Sequence, residues 1–180
     1  MATGTEQWIL DLKTIRGKSD VRLLAQQIVD SQSWDIWIEL MQLPDKQLAR
    51  RAGWVWEHVV GNFPDAVRRN EPKLLRIMAQ TDERAVRRSC LKAFSMSLPS
   101  GDQLGELLEL SAAEALNRSA SLAARVYALE VLFQISGLIP EVRGEFKAIL
   151  DQCSREHAPS IRSRCKRYEK SMATRWHNQK

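Results

Sequence analysis

The chain has 180 residues, of which 44% are hydrophobic and 27% are charged, and its formal net charge at pH 7 is +5. This length fits one domain of ordinary size, and the composition is that of a soluble globular protein. The 8 glycines and 6 prolines are too few for a turn-rich all-β fold, and the 3 cysteines, widely spaced and without a CxxC pair, argue against a disulfide framework or a zinc knuckle.

Charge and tryptophan are distributed unevenly along the chain. Residues 155–180 carry eight Lys and Arg against two Glu, so the basic character belongs to the last helix and tail. Five of the six tryptophans lie before residue 57. No apolar stretch is long enough to span a bilayer, and the first twelve residues do not resemble a secretory signal. We therefore expect a cytoplasmic protein that does not bind membranes.

Helix start and stop signals divide nearly all of the chain after residue 19 into helices. No segment alternates polar and apolar residues with β-branched enrichment, so no sheet is predicted. Ser19, Ser33 and Asp45 stand at three of the expected N-caps. The predicted helices, in chain order, are 20–31, 34–43, 45–61, a short turn at 64–69, 71–80, one that Asp82 caps and that ends before Pro99, 100–117, 119–136, 140–156 and 159–173.

The strongest pattern is an internal repeat with a period of 37 residues. A fixed period of 20–50 residues with one helical hairpin per period indicates an α-solenoid, because a single hairpin cannot bury both of its apolar faces. A polar residue and an arginine six positions later recur at this interval in four copies: Asp45 with Arg51, Asp82 with Arg88, Ser119 with Arg125, and Glu156 with Arg162.

These copies resemble HEAT repeats, whose second helix opens with Asp, then an aliphatic residue, then Arg. The segments DKQLARR and DERAVRR follow that pattern well, the third copy is fair, and the fourth is degenerate, with Pro159 at the aliphatic position. The resemblance covers about residues 20–173. Through RRAGWVWEHV, FPDAV and IRSRCKR, the chain is also similar to a family of small bacterial HEAT-like proteins. The resemblance to HEAT repeats implies an all-α, right-handed α-α superhelix of about four HEAT-like hairpins. These form a single domain over 1–174, with a C-terminal tail at 175–180.

The arginine column has two interpretations. Each arginine pairs with an acid of an adjacent repeat, or the column forms a basic ladder for phosphates. The acids that recur six positions earlier favour the structural interpretation. Because Ser119 supplies no charge, Arg125 is the member expected to be free and is a candidate partner-binding residue.

The tryptophans offer candidate anchors for a partner. Trp34 and Trp37 share one face of a helix, whereas Trp54 and Trp56 diverge, so they cannot both point into the core. Burial of most of them is the simpler interpretation, but we expect at least one of these four to line a groove. The SWDIW segment is also similar to the Trp and Asp used by HEAT-like alkylpurine DNA glycosylases.

The C-terminal segment IRSRCKRYEK forms a basic cluster with candidate nucleic-acid contacts at Arg162, Lys166, Arg167 and Lys170. An exposed basic cap that merely complements the helix dipole is the simpler interpretation. Tyr168 could stack on a base.

The sequence shows no catalytic constellation, metal-ligand spacing or phosphate loop, and we expect no enzyme activity and no cofactor. We expect a scaffold that binds a protein or peptide. The alternative is a nucleic-acid-binding HEAT-like protein related to the alkylpurine DNA glycosylases. The position of the unpaired arginines distinguishes the two, because one continuous stripe favours nucleic acid.

Overall fold

A computed structural model describes the backbone of residues 4–177 and the side chains of residues 4–174. Helices are the only regular elements in that part of the chain. They are α1 (Gly4–Thr14), α2 (Lys18–Ser31), α3 (Trp34–Leu40), α4 (Lys46–Asn62), α5 (Asp65–Arg68), α6 (Glu71–Gln80), α7 (Arg84–Met96), α8 (Gln103–Leu116), α9 (Leu122–Leu138), a 3-10 turn at Pro140–Val142, α10 (Arg143–Ser154) and α11 (Pro159–His177).

The start of α4 follows the predicted capping. The Asp45 carboxylate accepts hydrogen bonds from the backbone N–H groups of Gln47 and Leu48, at 2.9 and 3.1 Å. These two donors have no partner within the first turn, so the carboxylate satisfies them and complements the positive end of the helix dipole. The long helix that the sequence predicts over 45–61 is confirmed.

Three other predicted caps are wrong by one or two residues. The residue at the N-cap of α2 is Gly17 rather than Ser19, and its backbone N–H donates to Asp20 Oδ2 at 3.2 Å. The hydroxyl that caps α9 is that of Ser121, which accepts from Ala124 N at 3.1 Å. Ser119 instead donates to Asn117 Oδ1 within the preceding turn, at 2.7 Å. At α7 the cap is Glu83 rather than Asp82. Short polar side chains compete for the same local donors, so spacing alone does not select the one that caps.

Helix α1 was not predicted, because it precedes the first copy of the repeat. It is joined to the rest of the fold by Arg51, whose guanidinium donates to the carbonyl oxygens of Leu12 and Lys13 at 2.8 and 3.0 Å. These carbonyls lie in the last turn of α1, where no intrahelical donor remains. One arginine of the repeat column thus caps the C-terminus of a neighbouring helix.

The chain divides into two compact units, which we call the N-terminal unit (Met1–Pro99) and the C-terminal unit (Ser100–Lys180). In the N-terminal unit, helices α3 and α4 form one hairpin and α6 and α7 form the next. Helices α2, α4 and α7 pack side by side in that order. Its largest buried side chains include Trp37, Trp56 and Phe94. These helices form because their apolar residues recur at helical spacing and face one another across the layer.

In the C-terminal unit, α8 pairs with α9, α10 pairs with α11, and α9 packs against α11. Its core contains an aromatic cluster, in which Tyr168 stacks on Phe133 with 4.8 Å between ring centroids and both rings contact Phe146. The predicted tail at 175–180 lies outside the described side chains, and residues 178–180 lie outside the described backbone.

Candidate functional site

Arg88 pairs with an acid of the adjacent repeat, as the structural interpretation expects. Its Nε and NH2 atoms lie 3.0 and 2.9 Å from Glu57 Oε1 on α4. The same carboxylate accepts from Ser89 Oγ at 2.9 Å and lies 3.5 Å from Lys92 Nζ. Glu57 therefore gathers three donors of α7 and joins the second helices of successive hairpins. Charge-assisted bonds of this kind, half-buried, fix the positions of both side chains.

The prediction that Arg125 is free is wrong. Arg125 is only 2% exposed and forms two parallel hydrogen bonds to Glu156, at 2.7 and 2.6 Å. Its Nε donates to the carbonyl oxygen of Ala115 at 2.8 Å. The hydrogen bonds from Arg125 lower the pKa of Glu156 despite the opposing effect of burial. Ser119 supplies no charge, but the acid of the following repeat does, so Arg125 cannot contact a partner.

Glu130 repeats the role of Glu57 in the C-terminal unit. It accepts a hydrogen bond from the Tyr168 hydroxyl at 2.6 Å and lies 2.8 Å from Arg167 NH2 and 3.4 Å from Arg164 NH1. The Arg167 guanidinium also lies 5.1 Å from the centre of the Tyr168 ring. Burial and the bond to Glu130 raise the pKa of Tyr168. Because the ring is buried, the prediction that it could stack on a base is wrong.

Three of the four candidate tryptophans are core residues, which contradicts the groove prediction for them. Trp37 and Trp56 are fully buried, and Trp34 is 6% exposed and stacks on Phe63 with 5.5 Å between centroids. Trp37 Nε1 donates to the carbonyl oxygen of Ala52 at 2.9 Å. Their large apolar surfaces hold α3 against α4, which is the usual role of tryptophan in a helical core.

Trp54 is the exception, because it is half-exposed on α4. His58, one turn further along the same helix face, is half-exposed too. Burial lowers the pKa of His58, and the nearby cations Lys92, Lys18 and Arg22 lower it further. The imidazole thus lies between α2 and α7 with positive charge on both sides.

We call this surface of the N-terminal unit the cationic face. Its cations come from the helices on either side of α4, and Glu57 is the acid among them. Lys18 and Arg22 are exposed and form no ion pair with any residue whose side chain is described. The face consists of Lys18 and Arg22 on α2, Trp54, Glu57 and His58 on α4, and Arg88 and Lys92 on α7.

A cavity of about 260 Å³ lies elsewhere in the N-terminal unit, between the turns that follow α3 and α6. The charged residues that line it form ion pairs: Lys46 Nζ lies 3.1 Å from Asp82 Oδ2, and Glu83 Oε1 lies 3.0 Å from Arg50 Nε. The ion pair with Lys46 lowers the pKa of Asp82. These ion pairs join α4 to the start of α7.

The described side chains contain no cluster of three or more His, Cys, Asp and Glu that could hold a metal ion. Among the described helices, none combines the length and apolar character that crossing a membrane requires. The three cysteines are buried, and burial raises the pKa of Cys90 to about 12, which suppresses its thiolate.

The candidate nucleic-acid residues on α11 are all exposed. They do not form one uniform group, because Arg167 is paired with Glu130 and only Arg162, Lys166 and Lys170 lack an ion pair with the described side chains. Of the four arginines that recur at the 37-residue interval, Arg51, Arg88 and Arg125 are bonded within the fold. The repeat arginines therefore form no continuous unpaired column in the described part of the chain.

Glu57 and Glu130 are residues that the sequence reasoning missed. A signal for Glu57 exists, because it precedes Arg88 by 31 residues, the separation that also joins Arg125 to Glu156. Glu57 reaches Arg88 from α4, whereas Glu156 reaches Arg125 from the turn between α10 and α11. Pairing the acid and base at that offset would have identified Arg125 as bonded.

Comparison with known proteins agrees with this geometry. A family model described as HEAT repeat domain matches residues 9–172. A designed armadillo repeat protein, solved in complex with the peptide (KR)4, is similar with a TM-score of 0.62 and 11% identity, over 91% of this chain and 79% of the designed chain. At this identity the likeness shows the fold alone, and no curated protein matches. The fold is an all-α solenoid of the HEAT and armadillo type, and the chain belongs to the HEAT repeat family.

Proposed function

We propose that this protein is a binding scaffold that holds a protein or peptide segment against the second helices of its N-terminal unit. The observation that supports this is the half-exposed Trp54 on α4, next to half-exposed His58, in a region where the other large side chains are buried. A tryptophan at the centre of a binding surface supplies apolar area at low entropic cost and is a frequent hot spot.

The ion pairs around Trp54 support the same proposal. Glu57 fixes Arg88 and Lys92, and Arg51 is held by carbonyl groups of α1, so the side chains around the indole are ordered before a partner arrives. Ordered side chains lose little conformational entropy on binding. The designed armadillo protein of similar fold is in complex with a peptide, which is the class of partner we propose here.

Selection of peptides from a random library against the full-length protein tests this proposal. We expect the selected peptides to bind wild type and to bind Trp54→Ala at least about tenfold more weakly, a loss of about 1.4 kcal/mol or more. The variant should keep its helical circular dichroism, because the side chain is only half-buried. Leu138→Ala, which also truncates an apolar side chain to a methyl group at a 64% exposed position of the C-terminal unit, is the control and should bind like wild type.

Equal affinity of the selected peptides for wild type and Trp54→Ala would contradict the proposed surface. Selection of no peptide, together with salt-sensitive binding of a DNA or RNA oligonucleotide, would favour the nucleic-acid function instead. In that case the exposed Arg162, Lys166 and Lys170 are the first residues to replace.

A further inference from the structure

The charge of the cationic face has a consequence for the chemistry of its ligand. The face carries four permanent cations: Arg88 and Lys92 pair with the carboxylate of Glu57, and Lys18 and Arg22 lie with Lys92 near His58. Arg88 and Lys92 share that one carboxylate, so the pair keeps an excess of positive charge, and Lys18 and Arg22 have no acid of their own among the described side chains. The surface around Trp54 is therefore positive even after its internal ion pairs are counted.

From this arrangement we infer that the cationic face recognises an acidic peptide segment, with carboxylates placed between α2 and α7 and an apolar side chain on Trp54. The inference rests on the proposed function and adds the class of partner. The fold itself does not decide the sign of the ligand, since the designed armadillo protein of similar fold is in complex with a basic peptide, (KR)4. That peptide would be repelled by the side chains found here.

An acidic protein segment fits this surface better than a nucleic acid does. Duplex or single-stranded nucleic acid presents a regular run of phosphates and is bound by a continuous positive groove. The face is instead interrupted by Glu57, which lies at the level of His58 and is fixed there by Arg88 and Ser89. Two exposed cations on one side and two carboxylate-bound cations on the other suit a few discrete carboxylates.

His58 should make this recognition depend on pH. The groups that face it are Lys18 and Arg22 from α2, Glu57 from α4 and Lys92 from α7. In the free protein the cations and burial hold the imidazole neutral at pH 7. A bound carboxylate opposes both effects by supplying negative charge, so the bound form takes up a proton more readily. Affinity for an acidic ligand should therefore rise as the pH falls from 8 to 6, while Asp and Glu of the ligand stay ionised.

Three dye-labelled octapeptides test the sign of the charge: (DE)4, (KR)4 and (SG)4, each titrated against the full-length protein while anisotropy is measured. We expect (DE)4 to bind and (KR)4 and (SG)4 to bind at least about tenfold more weakly. Arg22→Glu should weaken (DE)4 binding by about tenfold, because it reverses an exposed charge. Lys147→Glu, the same kind of charge reversal at an exposed position of α10, is the matched control and should leave binding unchanged.

The pH series uses the same (DE)4 probe with wild type and His58→Gln. We expect wild type to bind several-fold more tightly at pH 6 than at pH 8 and His58→Gln to bind equally at both. A pH-independent wild type would overturn the role of His58. Stronger binding of (KR)4 than of (DE)4 would overturn the acidic specificity while leaving the scaffold function intact, whereas unaltered binding of library-selected peptides to Trp54→Ala would contradict the function itself. If a DNA oligonucleotide displaces (DE)4 with higher affinity, the partner is a nucleic acid and the inference is wrong.

Discussion

Arg125 and Arg162 occupy equivalent positions of the repeat in the C-terminal unit, yet one is buried in an ion pair and the other is exposed. The Arg125 and Glu156 side chains are 3% and 11% exposed. Removing one partner of such a pair leaves an uncompensated charge in a poorly solvated place. We expect Arg125→Ala to lower the free energy of unfolding by about 3–5 kcal/mol, measured by chemical denaturation.

The matched control for this prediction is Arg162→Ala, the same substitution one repeat later. Because the Arg162 side chain is in solvent, its replacement should change the free energy of unfolding by no more than about 0.5 kcal/mol, as a surface substitution does. Comparable losses in the two variants would show that the Arg125 pair contributes nothing beyond an ordinary surface charge.

The lowered pKa of His58 predicts that the free energy of unfolding depends on pH. Its pKa in the folded protein lies below the ordinary value of 6.5, so the unfolded chain binds the proton more tightly. Its contribution to stability is therefore complete above pH 6.5 and is lost as the pH falls through the lowered folded pKa. We expect the free energy of unfolding of wild type to fall between pH 7 and pH 5, and we expect this slope to be smaller in His58→Gln. Denaturation titrations across that range measure it, and parallel slopes would contradict it.

The sequence predicted the arginine column but not its partners, for a physical reason. Arg51, Arg88 and Arg125 recur at one interval because they share a place in the packing of helices. Arg51 donates to backbone carbonyls. Arg88 donates to a carboxylate that lies earlier in the sequence, and Arg125 donates to one that lies later. A long, flexible side chain reaches any acceptor within several ångströms, so the position is readable from the sequence and the contact depends on the three-dimensional arrangement.

At the scale of the helix, the close approach of α4 and α7 depends on Gly53. A Cβ at this position would lie 2.9 Å from Ser89 Oγ, and that hydroxyl is itself held between Glu57 and Ala85 O. Gly53→Ala should therefore force the two helices apart or displace the Ser89 hydroxyl. We expect a loss of about 1–3 kcal/mol in thermal or chemical unfolding.

Two comparisons isolate this contact. Gly61→Ala, in the same helix, places its Cβ where no atom lies within 4 Å, so it should stabilise the protein by about 0.5–1 kcal/mol through the helix propensity of alanine. In a Ser89→Ala background the clash is removed, and Gly53→Ala should cost less than it does in wild type. An additive double variant would exclude the steric explanation.

The capping of α9 gives a second prediction at this scale. Ser121→Ala removes the acceptor for Ala124 N and should destabilise the protein by about 1 kcal/mol, whereas Ser119→Ala should cost less because its hydroxyl bonds only within the preceding turn. Unfolding midpoints of the two single variants decide between them. A larger loss of stability in Ser119→Ala would instead support Ser119 as the cap, as the repeat pattern predicts.

Most helices could be predicted from the sequence, because each repeat has a proline, glycine or capping residue near its helix boundaries. Helix α1 escaped prediction, since it precedes the repeat and its C-terminus is stabilised by Arg51 from a distant part of the chain. The stability of α1 comes from tertiary contacts, which leave no signal in the local sequence. The same reasoning explains the tryptophans: helical spacing showed that Trp54 and Trp56 diverge, but which of them is buried depends on the neighbouring helices.

At the scale of the whole molecule, the division into two units predicts how fragments behave. The ion pairs centred on Glu57 lie within Met1–Pro99, and those centred on Glu130 and Glu156 lie within Ser100–Lys180. Repeat proteins are stabilised by contacts between neighbouring repeats, so a compact group of them can fold by itself. We expect residues 1–99 alone to retain helical circular dichroism and a cooperative thermal transition. An unfolded fragment would favour the single domain over 1–174 that the sequence suggests.

The two ion pairs that span 31 residues have opposite polarity: Glu57 precedes Arg88, whereas Arg125 precedes Glu156. A protein built from similar hairpins risks folding with the wrong hairpins adjacent, since their apolar faces resemble one another. In the 37-residue register Glu57 corresponds to Val131, so if α9 packed in the place of α4, Arg88 would meet an apolar side chain instead of a carboxylate. Such a mispairing would leave a partly buried charge without its partner, so the order of the hairpins is encoded in their ion pairs as well as in the chain.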